Sequence, residues 1–363
     1  MIQHTERGRM KKTSFLITPM VGIGDVLMTT PAIELIKKHL PDSTITCCTL
    51  NKGIFDLLKS NPDIDHLVNY PFFCAKKLAA LFQYVKEQSF RHTHCITFYP
   101  SNRIHYNIVS LLTFAPKRLG HTYLRMNGSQ GNWLKNCTVK ENDDLHCVEE
   151  NVRILELLGI TIPTESIPRM KVILDKSEIL HGVEYRQSIT SSPCCIGVHA
   201  GTSVLKGHIA RRWPKEYFSE LVNSIQDAHF LLFGTKEELE ANQYIVDNAK
   251  HNNVTFVSNK SIRDVAAIIK ACNFFLSNDS GLMHLASAVN RPVLSLIGPT
   301  NPVYIRPWGV DYKVVSSHAQ CAPCFRYSPR PLQCSQKMQF HCLSDLTPSN
   351  VERAVRDFME KYR

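Results

Sequence analysis

The strongest constraint on the fold is an alternation of strand-sized apolar runs with helical patterns, which runs twice along the chain. Residues 13–18 read as a strand and 25–40 as a helix with Val26, Leu27, Ile33, Leu35 and Ile36 on one side. Strands follow over 43–50, 66–70 and 95–99, separated by helices over 53–60, 76–88 and 102–114. A helix over 147–158 and a proline-containing stretch, 161–168, come next, and the pattern then restarts at Cys194-Cys195-Ile196-Gly197-Val198-His199. There, strands over 229–233, 254–257, 273–276 and 292–297 alternate with helices over 215–225, 237–248 and 262–271, and residues 349–362 read as a closing helix. Strand, helix and parallel strand connect with one hand, so such alternation predicts parallel sheets covered by helices. The fold class is α/β. At 363 residues the chain is long for one core. Two doubly wound halves are predicted, 1–180 and 181–363, meeting near 170–192.

Lys and Arg number 42 against 32 Asp and Glu, and the net charge of +10 favours phosphorylated or anionic partners. A nucleic-acid binder would concentrate that charge in a stripe with interleaved aromatics; read as dispersed, the basic residues argue against that class. Basic residues precede an apolar stretch near the start, but Pro19 and Asp25 interrupt it, unlike a signal peptide. No uncharged apolar run approaches the ~20 residues that span a bilayer. These features predict a cytoplasmic protein. Of the thirteen cysteines, Cys47, Cys48, Cys95, Cys194 and Cys195 fall in apolar runs and read as reduced small hydrophobes. Only Cys321, Cys324, Cys334 and Cys342 look organised. They suit a closed structural zinc site, with His341 as an alternative ligand, or else packed reduced thiols.

Ligands of open parallel sheets bind beyond the carboxyl ends of strands, and four polar loops fall there. Asp279-Ser280-Gly281, with His284 one turn on, opens a helix after a strand; Ser280 can cap that helix, and its free amides favour an anion. Gly298-Pro299-Thr300 follows the next strand. Gly201, Thr202 and Ser203 end another, ahead of Lys206, Arg211 and Arg212, cations suited to a diphosphate. In the first half, Gly22-x-Gly24 lacks the third glycine of a dinucleotide fingerprint and sets Asp25 at a helix start. Each loop also has a structural reading, as a cap, a solvated basic loop or a dipole-stabilised acid.

Together the segments GIGDVLMTTPAIELIKKHLPDS, HAGTS with RRWPKEYFSELV, SNDSGLMHLASAVNRPVLSLIGPTNP and the terminal cysteine pattern resemble glycosyltransferase family 9, the bacterial heptosyltransferases of lipopolysaccharide core synthesis. The resemblance implies a GT-B fold, two Rossmann-like domains around a cleft. It implies inverting transfer of a heptose from ADP-heptose to a saccharide acceptor, with no metal needed for catalysis. The amino-terminal half would bind the acceptor and the carboxyl-terminal half the donor. Asp25 matches the family's base. Asp279, Ser280, Gly281 and His284 match its donor diphosphate loop; Gly201, Thr202, Ser203, Arg211 and Thr300 fall in the flanking donor segments. Arg211 stands where the family usually has lysine, and Glu237 or Glu238 where it often has an acid for the ribose. An anionic lipid-linked acceptor implies peripheral contact with the inner membrane. Competing readings are a same-fold enzyme using another nucleotide-sugar, a non-catalytic basic binding protein with a zinc-stabilised tail, and a nicotinamide oxidoreductase, the last weakened by the broken fingerprint.

Overall fold

The computed structural model describes residues 12–72, 77–202, 210–317, 319–325, 332–336 and 340–363. Six short strands of the first half, β1 (Ser14–Ile17), β2 (Thr44–Thr49), β3 (His66–Asn69), β4 (His94–Ile96), β5 (Lys117–Thr122) and β6 (Cys137–Lys140), form one parallel sheet in the order β3-β2-β1-β4-β5-β6. Between them lie α1 (Ile23–Leu27), α2 (Thr30–His39), α3 (Lys52–Leu58), α4 (Lys77–Gln88) and α5 (Ile104–Leu111), and α6 (Cys147–Arg153) follows β6. The second half opens with α7 (Lys176–Ile189). Its strands are β7 (Cys195–His199), β8 (His229–Phe233), β9 (Val254–Val257), β10 (Phe274–Asn278), β11 (Val293–Ile297) and β12 (Tyr312–Ser316), again parallel, in the order β12-β11-β10-β7-β8-β9. Renumbered from its own start, this is the order of the first sheet. The helices there are α8 (Lys215–Ser224), α9 (Leu239–Asp247), α10 (Ile262–Ala271), α11 (Gly281–Ala288), α12 (Pro302–Ile305), α13 (His341–Ser344) and α14 (Pro348–Tyr362).

Burial follows composition. Strands β7, β8, β10 and β11 are buried at every residue, as expected for parallel strands covered on both faces. One apolar cluster crosses between the halves, joining Leu27 and Met28 to Met283 and Leu285. The anticipated helix over 25–40 is broken into α1 and α2: Pro31 has no N–H for the Leu27 carbonyl, which accepts instead from the Thr30 hydroxyl at 2.8 Å, and the Thr29 hydroxyl donates to the Val26 carbonyl at 2.7 Å. Three strands, β5, β6 and β12, and the helix α7 inside the 170–192 connection were not expected from sequence.

Candidate functional site

In a sheet of this order the crevice opens where the strand order reverses, beyond β1 and β4 in the first sheet and β7 and β10 in the second. Asp25 follows β1, Gly201 and Thr202 follow β7, and Asp279 and Ser280 follow β10, so three of the four loops singled out in the sequence sit at reversals. Thr300 follows β11, the neighbour of β10. Ser203 and Lys206 lie outside the described residues.

The two halves touch at α1 and α11. A Cβ on Gly24 would stand 2.5 Å from His284 Cδ2, and one on Gly281 would stand 3.4 Å from Ile23 Cβ and 3.7 Å from the Gly24 nitrogen. Glycine is needed at position 24 for room. Asp25, half-buried at the third position of α1, folds its carboxylate over Gly22, whose Cβ would come 2.6 Å from Asp25 Oδ2. The Tyr106 phenol is pushed up by burial and then by the Asp25 charge, with Arg103 opposing, so tyrosine, arginine and carboxylate share one corner of the cleft.

In the second half the polar side chains of the rim loops are engaged with one another. Ser280 caps α11, accepting from the Met283 amide at 3.4 Å, and its hydroxyl lies 2.8 Å from His199 Nδ1. His199 Nε2 stands 3.2 Å from Glu238 Oε1. Asp279 Oδ2 accepts from Arg211 Nη1 at 2.6 Å and from the Thr300 hydroxyl at 2.7 Å, all three residues being buried. Burial raises the Asp279 pKa, but the Arg211 charge and the Thr300 bond more than offset this and hold it below the ordinary value. Trp213 locks the middle motif in place: its amide donates to Asn278 Oδ1 at 3.0 Å, and Asn278 Nδ2 donates to the Ala200 carbonyl at 2.8 Å.

With these side chains acting as a frame, the groups left for an anion are the first-turn amides of α11 at the positive end of its dipole. Two buried nitrogens beside them, Arg211 Nε and His284 Nδ1, have no hydrogen-bond partner among the described residues. Burial drives the His284 pKa down to about 4, with Asp279 opposing and Arg211 reinforcing, so the ring is neutral at pH 7.

Glu237 is exposed and accepts from the Thr235 hydroxyl at 2.7 Å. Glu238 is buried and meets His199. Thr235-Lys236-Glu237-Glu238 forms a capping box, in which the Thr235 amide donates to Glu238 Oε2 at 2.8 Å and turns that carboxylate inward. Gly201 leaves it room, since a Cβ there would meet Glu238 Oε1 at 1.8 Å. The capping-box spacing was the signal in the sequence that selects Glu238. Arg103 and Tyr106 carried no such signal.

The cysteine tail braces the loop after β11. The Cys324 and Phe325 amides donate to the Pro299 carbonyl at 2.9 Å, and Phe325 stacks under the Arg211 guanidinium at 4.5 Å. Cys342 is pushed up to about 11, first by burial and then by the nearby Cys324, Cys321 and Cys334. Among the described residues no group of three or more His, Cys, Asp or Glu side chains is placed to hold a metal ion.

A family model described as glycosyltransferase family 9 (heptosyltransferase) matches residues 102–334, more than half of the chain. The chain belongs to glycosyltransferase family 9. This family 9 protein is 24% identical over 300 residues to lipopolysaccharide heptosyltransferase 3 of Escherichia coli K12, covering 78% of this chain and 82% of the relative. A shorter stretch of 112 residues is 31% identical to lipopolysaccharide heptosyltransferase 2 of the same strain, over 29% of this chain and 32% of that one. The solved structure of E. coli ADP-heptose LPS heptosyltransferase II matches with a TM-score of 0.73 at 18% identity, covering 96% of this chain and 99% of that one. E. coli heptosyltransferase WaaC with ADP matches at 0.67 and 18%, over 95% and 100%. The family 9 chain has the two-domain GT-B architecture and is a glycosyltransferase of the heptosyltransferase type. The oxidoreductase and the non-catalytic binder are set aside.

Proposed function

We propose that this family 9 enzyme transfers a heptose from ADP-heptose, with inversion, to an anionic lipid-linked saccharide of the lipopolysaccharide core type at the cytoplasmic face of a membrane. The observation that carries the reading is the contact of Gly24 with His284, because it sets the Asp25 turn against the amino end of α11. The donor diphosphate lies at the α11 amides, where the dipole and the buried Arg211 and His284 favour negative charge. An acceptor hydroxyl attacks the anomeric carbon as Asp25 takes its proton. The bond from that carbon to the diphosphate oxygen breaks, its electron pair leaves with ADP, and the helix amides stabilise the charge that develops. The donor class is supported by structural relatives described with ADP and with ADP-2-deoxy-2-fluoro heptose. Among the described residues no helix is long and apolar enough to cross a membrane.

The test is a donor screen with a core-truncated lipopolysaccharide as acceptor. Transfer from ADP-heptose, with stoichiometric ADP release and no transfer from UDP- or GDP-sugars, is the expected outcome. Transfer from a UDP- or GDP-sugar alone would favour the same fold serving another donor.

A further inference from the structure

One helix of the first half, α5, has polar residues at its fully buried positions. Its two fully buried residues are Asn107, whose Nδ2 donates to the Gln130 carbonyl at 2.7 Å, and Ser110, whose hydroxyl donates to Cys95 Sγ at 3.3 Å. Ile104 and Ile108, one turn apart, face out and are exposed. A helix that only covers a sheet shows the reverse pattern. Its neighbour α4, tied to it by the Tyr84 hydroxyl donating to the Val109 carbonyl at 3.1 Å, leaves Leu78 76% and Phe82 71% exposed. Past the carboxyl ends of these helices Phe90 and Phe114 stack with centroids 4.5 Å apart, yet both rings remain exposed to solvent. Trp133, 74% exposed, follows Gly131, whose Cβ position touches Ile104. Scattered apolar residues on a surface need no explanation, but a run of them along two packed helices does.

Charge gathers on the same segment. Between residues 66 and 140 the chain has ten Lys and Arg and a single acid, Glu87, so nine of its ten net positive charges arise there. The basic residues are therefore concentrated, against the dispersed reading given above. Lys77, Lys86, Arg91, Lys117 and Arg125 are exposed, and Glu87 accepts from the Tyr70 hydroxyl at 2.7 Å. A second copy pressed on this face through a two-fold axis would set like charges against like. An anionic surface with an apolar interior suits both features at once.

The geometry points to α4, α5 and Trp133 as the face on which this enzyme docks to an anionic lipid bilayer. Phe82, Ile108, Trp133 and the Phe90–Phe114 pair enter the headgroup region, and the flanking lysines and arginines meet lipid phosphates. This placement rests on the lipid-linked acceptor proposed above and says how it is reached: Arg103 precedes α5 beside Tyr106, so the apolar stripe starts at the corner of the cleft that holds Asp25.

The test is co-sedimentation of the full chain with vesicles of phosphatidylglycerol and phosphatidylethanolamine, and with phosphatidylcholine alone. The wild type should bind the anionic vesicles, less so at high salt, and bind the neutral ones weakly. Combining Phe82→Glu, Ile108→Glu and Trp133→Glu, all at exposed positions, should reduce binding by about tenfold or more. The control pair Leu180→Glu and Leu239→Glu, exposed in the second half, should bind as the wild type does. Transfer to a deacylated, water-soluble acceptor should be unchanged in the triple variant. Vesicle binding by the wild type without transfer to the soluble acceptor supports the docking face and contradicts the proposed function. Transfer without vesicle binding, equal binding by the triple variant, or a dimer that the triple variant dissociates would overturn the docking face.

Discussion

Gly24 of α1 lies so close to His284 of α11 that a Cβ would stand 2.5 Å from the imidazole, and this contact joins the first half of the chain to the second. Gly24→Ala must displace the ring or part the halves. Overpacking of this kind costs about 1–3 kcal/mol. We expect a lower thermal midpoint together with reduced turnover, whereas Gly128→Ala, with nothing within 4 Å, should match the wild type in both. Equal melting of the two variants would show that the halves do not pack here.

Glu238 and Glu237 should behave differently despite their adjacency. Glu238 is buried against His199, which positions Ser280 at the amino end of α11, and Glu237 is exposed. Losing a hydrogen bond to a charged group costs roughly 1.5–3 kcal/mol, about one to two orders in affinity where the donor depends on that helix end. Calorimetry with ADP should show weakening in Glu238→Ala and none in Glu237→Ala. The opposite ranking would favour Glu237 over Glu238 as the acid that meets the donor.

Stability should fall in mild acid. Burial holds His284 down at about 4, and burial likewise holds His146 down at about 3, both below the ordinary histidine value of about 6.5. Between those values the unfolded chain binds protons that the folded chain does not. The contribution is therefore complete above about pH 6.5 and is lost as pH falls toward the folded values, on the order of a few kcal/mol in all. Urea unfolding at pH 7.5 and pH 5 should show lower stability at pH 5, and a flat profile would contradict the buried neutral state.

The sequence was most legible where strands are apolar throughout, as in β7, β8, β10 and β11, and where polar residues follow them directly. It was least legible where tertiary contacts override composition. Strand β5, Lys-Arg-Leu-Gly-His-Thr, has little apolar character and is held by polar contacts, the buried His121 Nε2 to Glu150 Oε2 at 2.8 Å and the half-buried Arg118 Nε donating to the Leu134 carbonyl at 2.9 Å. Helix α7 buries only Gly182, whose Cβ would meet the Ala267 carbonyl oxygen at 2.3 Å, and a backbone approach of that kind leaves no apolar periodicity. At the site, position in the chain identified the loops. It did not reveal that Asp279 and Ser280 are engaged with Arg211, Thr300 and His199, so that the side chains singled out in the sequence bond to one another.

The central claim is that Asp25 accepts the acceptor proton beside the donor helix, and Asp25→Asn tests it most directly. The substitution is nearly isosteric but cannot take the proton. General-base help typically contributes ~10²- to 10⁴-fold. Turnover with ADP-heptose should fall by a factor in that range while ADP affinity, which depends on α11 and the second half, stays at the wild-type value. Near-wild-type turnover in Asp25→Asn would contradict the mechanism and leave Asp25 as an acid stabilised by the amino end of α1.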